Sequence, residues 1–198
     1  MRFVPGDAGE PSIHTLRVVE MHRFADDPVL TAGFEYWLNL PREAGIPDRR
    51  EVDPSQMPRT IFSNVALLEI IDDCADARFR LAGQQFDDNF GFSLKGMKTS
   101  ELTEGEYRDY MLGHVQTLVD SRQPIYSESA FRWDQGGHLR TRRIMMPMSH
   151  GQPDVIAMIL KIQTWPREQM RGLPFCEAIA GAKPISNSAP QIVRSKDG

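Results

Sequence analysis

The sequence predicts an α+β fold with the element order strand, strand, helix, helix, strand, strand, strand between residues 62 and 164. Short segments that are apolar or alternate with period two indicate the strands, at 62–71, 77–81, 125–133, 139–148 and 155–164. Apolar residues at helical spacing from 107 to 118 indicate the longer helix. Acidic or glycine-rich turns separate neighbouring strands and favour hairpin connections.

The composition excludes several classes of protein. A net charge of -4 provides no positive field to attract nucleic acid or anionic lipid. No apolar run approaches the roughly 20 residues of a membrane helix, and the N-terminus lacks the apolar stretch of a secretory signal. Cys74 and Cys176 lie far apart in unlike segments, which fits free thiols better than a disulfide. We therefore expect a cytoplasmic protein that contacts neither nucleic acid nor membrane.

A leading helix is expected at 28–40, ahead of the first strand. Asp26 or Asp27 can cap its N-terminus, Pro28 suits its first turn, and Pro41 stops it. The proline-rich segment that follows predicts a structured loop.

The two helices between the second and third strands have separate signals. Phe86 and Phe90 lie one helical turn apart on the short helix, which Gly91 can end. Thr103 and Glu106 have the capping-box spacing for the start of the longer helix. The apolar stripe of that helix consists of Tyr107, Tyr110, Met111, His114, Val115 and Leu118.

With these elements in order, the chain resembles a bacterial subfamily of stand-alone PAS proteins, within the PAS sensor superfamily, over residues 28–164. The matching pieces are Tyr36-Trp37, Asp53-Pro54 with Pro58, Arg80-Leu81-Ala82-Gly83, Gly96, Pro124 and the strand 139–148. Gln84 departs from the pattern, where a small hydroxyl residue is expected. The resemblance implies a PAS fold, which is a five-stranded antiparallel sheet with helices on one face, here with an N-terminal flanking helix. It also implies sensing or protein interaction rather than catalysis.

Three parts of the chain are expected. Residues 1–25 form a flexible arm, residues 26–165 the PAS domain with its N-terminal helix, and residues 166–198 a flexible tail rich in Pro, Ser, Gly and Ala. Because no kinase, cyclase or DNA-binding segment is recognisable, a signal is expected to leave by contact with a regulatory protein.

Aromatic and methionine side chains suggest a cavity for a small molecule. Met is adaptable and suits irregular pockets, and a buried Tyr can supply a polar group. The candidate ligand-binding residues are Phe86, Phe90, Tyr107, Met111, His114, Tyr126 and Met146. Simple core packing of these residues without a ligand is the favoured interpretation, and a ligand cavity is the alternative.

His114 raises the question of a cofactor, because a histidine on the corresponding helix binds iron in some heme-binding PAS domains. A core histidine that is hydrogen-bonded to a neighbour is favoured, and a heme-based gas or redox sensor is the alternative. Flavin is favoured less. The segment 84–90 lacks the cysteine of photochemical PAS domains, and Cys74 lies in the wrong turn.

Residues 138–143 form a basic cluster. On a strand, Arg140 and Arg142 share one face and Arg143 takes the other. An anion or an acidic partner is one interpretation of this cluster. Pairing with acidic residues across the hairpin, such as Glu128, is favoured.

No spacing of residues indicates a metal site or a catalytic group. Asp87 and Asp88 are consecutive on a helix and point in different directions. We therefore expect not an enzyme but a sensory or adaptor protein that binds a small molecule or a regulatory protein. An enzyme with His114 or Tyr126 as acid or base is the alternative.

The last two strands are apolar on both faces, so the outer face of the sheet needs a cover. Phe34, Trp37 and Leu38 on the leading helix can supply it, or a second copy of the chain can. One helix about 18 Å long is too short to cover a five-stranded sheet. A homodimer through residues 28–40 and the strands at 139–162 is therefore expected.

Overall fold

A single sheet organises the chain. The computed structural model describes residues 17–20, 24–42, 45–103, 105–132, 138–165, 183–187 and 190–194, and within them eight strands form this sheet. The helices are α1 (Pro28–Asn39), α2 (Gln84–Phe90), α3 (Thr99–Leu102) and α4 (Gly105–Ser121). The strands are β1 (Arg17–Glu20), β2 (Val65–Ile71), β3 (Asp76–Ala82), β4 (Ile125–Arg132), β5 (His138–Met148), β6 (Met158–Thr164), β7 (Lys183–Asn187) and β8 (Gln191–Arg194).

The predicted five strands form one continuous part of the sheet. They lie in the order β4-β5-β6-β2-β3, and every pairing among them is antiparallel. With three helices between β3 and β4 and one before β2, the predicted α+β fold is confirmed. The ends of the strands differ from the prediction by a few residues. β2 begins only at Val65, because residues Arg59–Asn64 form a 3₁₀ helix that leaves Phe62 partly exposed.

Three further strands lie in segments for which flexible arms were predicted. β8 pairs with the start of β4 and with β1, and β7 pairs with the second half of β4, from Ser129 to Arg132. Val193 is buried in the apolar cluster between the sheet and α1, called here the outer core. Its N–H donates to the Pro124 carbonyl at 2.8 Å. A sheet edge offers unpaired backbone groups to any extended segment, and such pairing leaves little trace in composition. Phe24 of the N-terminal arm is also buried, and most of the rest of both arms lies outside the described residues.

α1 covers the outer face of β5 and β6 within its own chain. Asp27 caps the helix by accepting hydrogen bonds from the N–H groups of Val29 and Leu30, as predicted for its N-terminus. Gly33 permits a close approach, since a Cβ there would lie 2.4 Å from Cγ1 of Ile162. The cluster between α1 and the sheet includes Phe24, Leu30, Phe34, Trp37, Ile144, Met146, Leu160 and Ile162.

The other face of the sheet, called here the inner face, packs against α2, α3 and α4. This second core includes Phe79, Phe86, Phe90, Met111, Val115, Leu118, Met145 and Ile159. The sheet therefore separates two cores, and each central strand contributes alternate residues to both.

Candidate functional site

A small cavity lies between the inner face of the sheet and α2–α4. Its apolar walls include Phe79, Phe86, Phe90, Met111, Val115 and Met145. Its volume is about 40 Å³. At roughly 10–15 Å³ for each water-sized probe, it has room for about three waters. Only a very small ligand fits it without movement of the walls.

Four of the predicted ligand-binding residues line this cavity. They are Phe86 from α2, Phe90 at the end of α2, and Tyr107 and Met111 from α4. The helical spacing that identified them also determines which side of α2 and α4 faces the sheet. Thus the structure brings these four side chains together.

His114 is buried one turn farther along α4 and does not line the cavity, which corrects its prediction as a ligand-binding residue there. Its Nδ1 lies 2.6 Å from the Tyr110 carbonyl oxygen, and its ring packs on the edge of the Tyr110 ring. Because a carbonyl only accepts, Nδ1 carries the proton and Nε2 has the free lone pair. Burial and the positive charge of Arg143 lower the pKa of His114 to about 3. The imidazole is therefore neutral and hydrogen-bonded to a neighbour.

Tyr126 and Met146 do not line the cavity, which corrects the prediction that they join the other ligand-binding residues. Both are buried in the outer core beneath α1. The adjacent Met145 takes the cavity position instead. Side chains of a strand alternate between the two faces, so a shift of one residue places a side chain on the opposite face. When both faces are apolar, the sequence does not indicate which residues point to which face.

Tyr126 belongs to a polar network at the start of α1. Its hydroxyl donates to the Glu128 carboxylate and accepts from Nε of Arg142 at 3.0 Å. Arg142 also pairs with Asp26 at 2.8 Å. Burial, followed by the hydrogen bond to Glu128, raises the pKa of Tyr126 to about 12. The favoured pairing of the basic strand with acidic residues is thus present for Arg142.

Phe34 and Trp37 are buried against the outer face, and Leu38 packs beside them partly exposed. The Trp37 indole N–H donates to the Pro147 carbonyl at 3.0 Å. These three residues cover the sheet, as predicted for the leading helix.

The sequence analysis missed a group of polar residues on the inner face. Arg143 is 0%, Lys161 5% and Gln163 2% exposed. Arg143 pairs with Gln163 across β5 and β6, and Met145 pairs with Lys161 one step along. These four side chains therefore occupy adjacent positions on one face, with the two cations on a diagonal. Lys161 and Gln163 line the cavity.

Hydroxyl groups and aromatic rings surround the two cations. The Arg143 guanidinium donates to Ser129 at 2.6 Å and to Thr141, and it lies 5.5 Å from the centre of the Tyr110 ring. The Lys161 ammonium nitrogen lies 5.5 Å from the centre of the Phe86 ring. Within the described residues, no carboxylate forms an ion pair with either cation.

Burial and the nearby charge of Arg143 hold the pKa of Lys161 well below its usual range. Desolvation disfavours the ammonium form, and the like charge adds to this. The cavity therefore has an amine in its wall whose charge depends on what occupies the cavity.

The residues of this site do not fit a heme or a flavin. Nε2 of His114 has a lone pair for iron, but the adjacent cavity of about 40 Å³ is far smaller than the roughly 300–1,000 Å³ of typical cofactor pockets. Residues 84–90, which form α2, contain no cysteine for flavin chemistry, and Cys74 lies in the turn between β2 and β3.

The described ranges also bear on metal binding and membrane crossing. Among those residues, no group of three or more His, Cys, Asp or Glu side chains is arranged to hold a metal ion. No helix there has both the length and the apolar character to cross a membrane.

Comparison with known proteins identifies one family and several solved structures of low sequence identity. The model of the PAS domain family matches residues 26–160. Among solved structures, the LOV protein of Rhodobacter sphaeroides has 14% identity and a TM-score of 0.41, with 56% of this chain and 65% of that one covered. The PAS domain of the fruit-fly ELK potassium channel has 16% identity and a TM-score of 0.36, with coverages of 52% and 86%. No curated protein matches.

Proposed function

This chain belongs to the PAS domain family, and we propose that it is a cytoplasmic sensory protein that binds a small molecule between α2–α4 and the sheet. The signal passes to a regulatory protein by contact. The observation that carries this proposal is the cavity itself, which has apolar walls and the polar groups of Lys161 and Gln163. A few polar groups in an apolar cavity are typical of ligand sites.

Unsatisfied polar atoms support binding of a ligand rather than packing alone. Among the described residues, Nε2 of His114, Nε of Arg143 and Oε1 of Gln163 are buried and have no hydrogen-bond partner. Each such atom costs about 1–3 kcal/mol in an empty protein. Of these three residues Gln163 lines the cavity, so a ligand with a hydrogen-bond donor recovers part of the cost of its Oε1.

The sheet offers a direct route from the cavity to the surface. Met145 faces the cavity and the adjacent Met146 packs beneath α1. A ligand that shifts β5 therefore also displaces the side chains against which α1 packs. Interiors are close-packed, so such a shift passes to the outer core.

The enzyme alternative has less support. His114 and Tyr126 lie on opposite faces of the sheet and belong to different cores, so they act on no common substrate. The pKa of His114, at about 3, and that of Tyr126, at about 12, leave neither group matched to proton transfer near pH 7.

The adjacent methionines of β5 provide a test of the ligand cavity. Met145→Ala and Met146→Ala each remove a fully buried side chain, and both are expected to lower the free energy of unfolding by about 2–5 kcal/mol. Only Met145→Ala enlarges the cavity. Native mass spectrometry and melting scans against a panel of small metabolites are expected to show a changed ligand response for Met145→Ala alone. Equal responses of both variants, or no bound molecule for the wild type, would contradict the proposal.

Homodimerisation through residues 28–40 stays a prediction. Because α1 of the same chain covers the outer face, such a dimer uses the outward side of α1 rather than bare sheet. Ala32, Tyr36 and Asn39 line a surface groove there. Light scattering at micromolar concentration is expected to give about twice the chain mass of 22.5 kDa. A mass near 22.5 kDa at every concentration would show that one chain closes the sheet by itself.

A further inference from the structure

We propose that the cavity binds a short-chain carboxylate, whose negative charge is held by Lys161 in the cavity wall, with Arg143 diagonally adjacent on the same face of the sheet. This inference rests on the proposed function, because it names the class of molecule that the cavity takes. It uses three properties of the site: its charge, its size and the polarity of its walls.

The two buried basic side chains of the site favour an anion over a neutral or cationic ligand. Lys161 and Arg143 are almost completely buried on one face of two paired strands. Buried charges in proteins are normally paired, because desolvation of an unpaired ion costs several kcal/mol. Of the described residues, none supplies a carboxylate to these two cations. A bound carboxylate offsets the charge of Arg143 and stabilises the ammonium form of Lys161, which burial otherwise disfavours.

Polar atoms beside the cations fit the oxygens of such a ligand. Arg143 lies outside the cavity lining and its terminal nitrogens donate to Ser127, Ser129 and Thr141, so it acts on the ligand through its charge. The Lys161 ammonium has three donors. Gln163 lies opposite Arg143 across the two strands and two residues from Lys161 along β6. Its Oε1 offers an acceptor for a hydroxyl group on the ligand.

The size and walls of the cavity limit the rest of the ligand. A volume of about 40 Å³ accommodates a carboxylate of roughly two to four carbon atoms, with small movements of the walls. Met111 and Met145 are flexible enough for such movements. Much of the remaining lining is apolar, including Phe86, Phe90 and Val115, and this favours a short alkyl group. A phosphate or sulfate ion requires polar partners on all sides, which such apolar walls disfavour.

Calorimetric titration of the full chain tests this inference. The probes are acetate, propionate, pyruvate and lactate, with propionamide as the neutral analogue of propionate, and with chloride and phosphate as inorganic anions. Propionate is expected to bind at least about tenfold more tightly than propionamide, as charge-assisted hydrogen bonds imply. Titration in two buffers of different ionisation enthalpy is expected to show proton uptake on binding, because the carboxylate favours the ammonium form of Lys161.

Two lysine variants complete the test. Lys161→Met retains the length of the side chain and removes its charge, and it is expected to weaken propionate binding at least about tenfold. Lys95→Met is the control, since Lys95 is exposed, and its binding is expected to equal that of the wild type. Far-UV circular dichroism of both variants verifies that they are folded, and the comparison of propionate with propionamide on the wild type needs no variant.

The outcomes separate this inference from the function on which it rests. Equal affinity for propionate and propionamide, or tighter binding of chloride or phosphate, would overturn the carboxylate and leave a small-molecule sensor. Unchanged propionate affinity in Lys161→Met would overturn the role of Lys161. If the wild type binds no molecule of any class, the proposed function fails together with the inference.

Discussion

Replacement of Trp37 by alanine is expected to lower the free energy of unfolding by about 3–5 kcal/mol, as measured by urea denaturation. Trp37 is 4% exposed and packs parallel to Phe34, with 6.3 Å between ring centres. Its indole N–H donates to Pro147, and the Arg42 guanidinium lies 4.4 Å from its ring centre. The variant therefore loses apolar burial, a buried hydrogen bond and a cation–π contact together.

Glu35→Ala on the same helix is the control for Trp37→Ala. Glu35 is exposed, and its replacement is expected to change stability by less than about 0.5 kcal/mol. Similar denaturation midpoints for the wild type and both variants would mean that α1 does not stabilise the sheet.

Gly83→Ala is expected to destabilise the protein by about 3 kcal/mol, which circular dichroism during urea unfolding measures. A Cβ at this position would lie 2.3 Å from the Phe62 carbonyl oxygen and 2.7 Å from the carbonyl carbon and oxygen of Ser63. These are backbone atoms, which cannot rotate away as a side chain can. The Gly83 N–H also donates to the Val65 carbonyl at 2.7 Å, and this holds the two segments together.

Gly113→Ala in α4 makes the same chemical change where there is space. No atom lies within 4 Å of the Cβ position at Gly113. Alanine is therefore expected to stabilise the protein by about 0.5–1 kcal/mol through its higher helix propensity. Two effects of the same sign would show that close approach at Gly83 is not what destabilises that variant.

The element order and the helix faces were predictable because their signals are local. Asp27 and Pro28 determine where α1 begins, and the stripe of α4 follows from side-chain spacing within one helix. Strands that complete a sheet through backbone hydrogen bonds, such as β7 and β8, need no distinctive side chains. Their positions depend on distant partners and were not predicted.

The candidate site was predictable only in its helical half. Phe86, Phe90, Tyr107 and Met111 followed from helical periodicity. The sheet half was missed because β5 and β6 are apolar on both faces, which hides their phase. Nevertheless, a signal was present: Lys161 and Gln163 are two residues apart in an otherwise apolar strand, and this spacing places them on one face.

The burial of β5 on both sides also limits how the protein can vary. Its last six residues, 143–148, are all buried; Met145 belongs to the inner core, whereas Ile144, Met146 and Met148 belong to the outer core. Most strands of antiparallel sheets have a solvent face on which substitutions are nearly neutral. β5 has no solvent face over that length. A substitution in β5 that adapts the cavity to another molecule therefore also alters the packing of α1 against the sheet. Changes of specificity are therefore expected to need compensating substitutions beneath α1, on the far side of the sheet from the ligand.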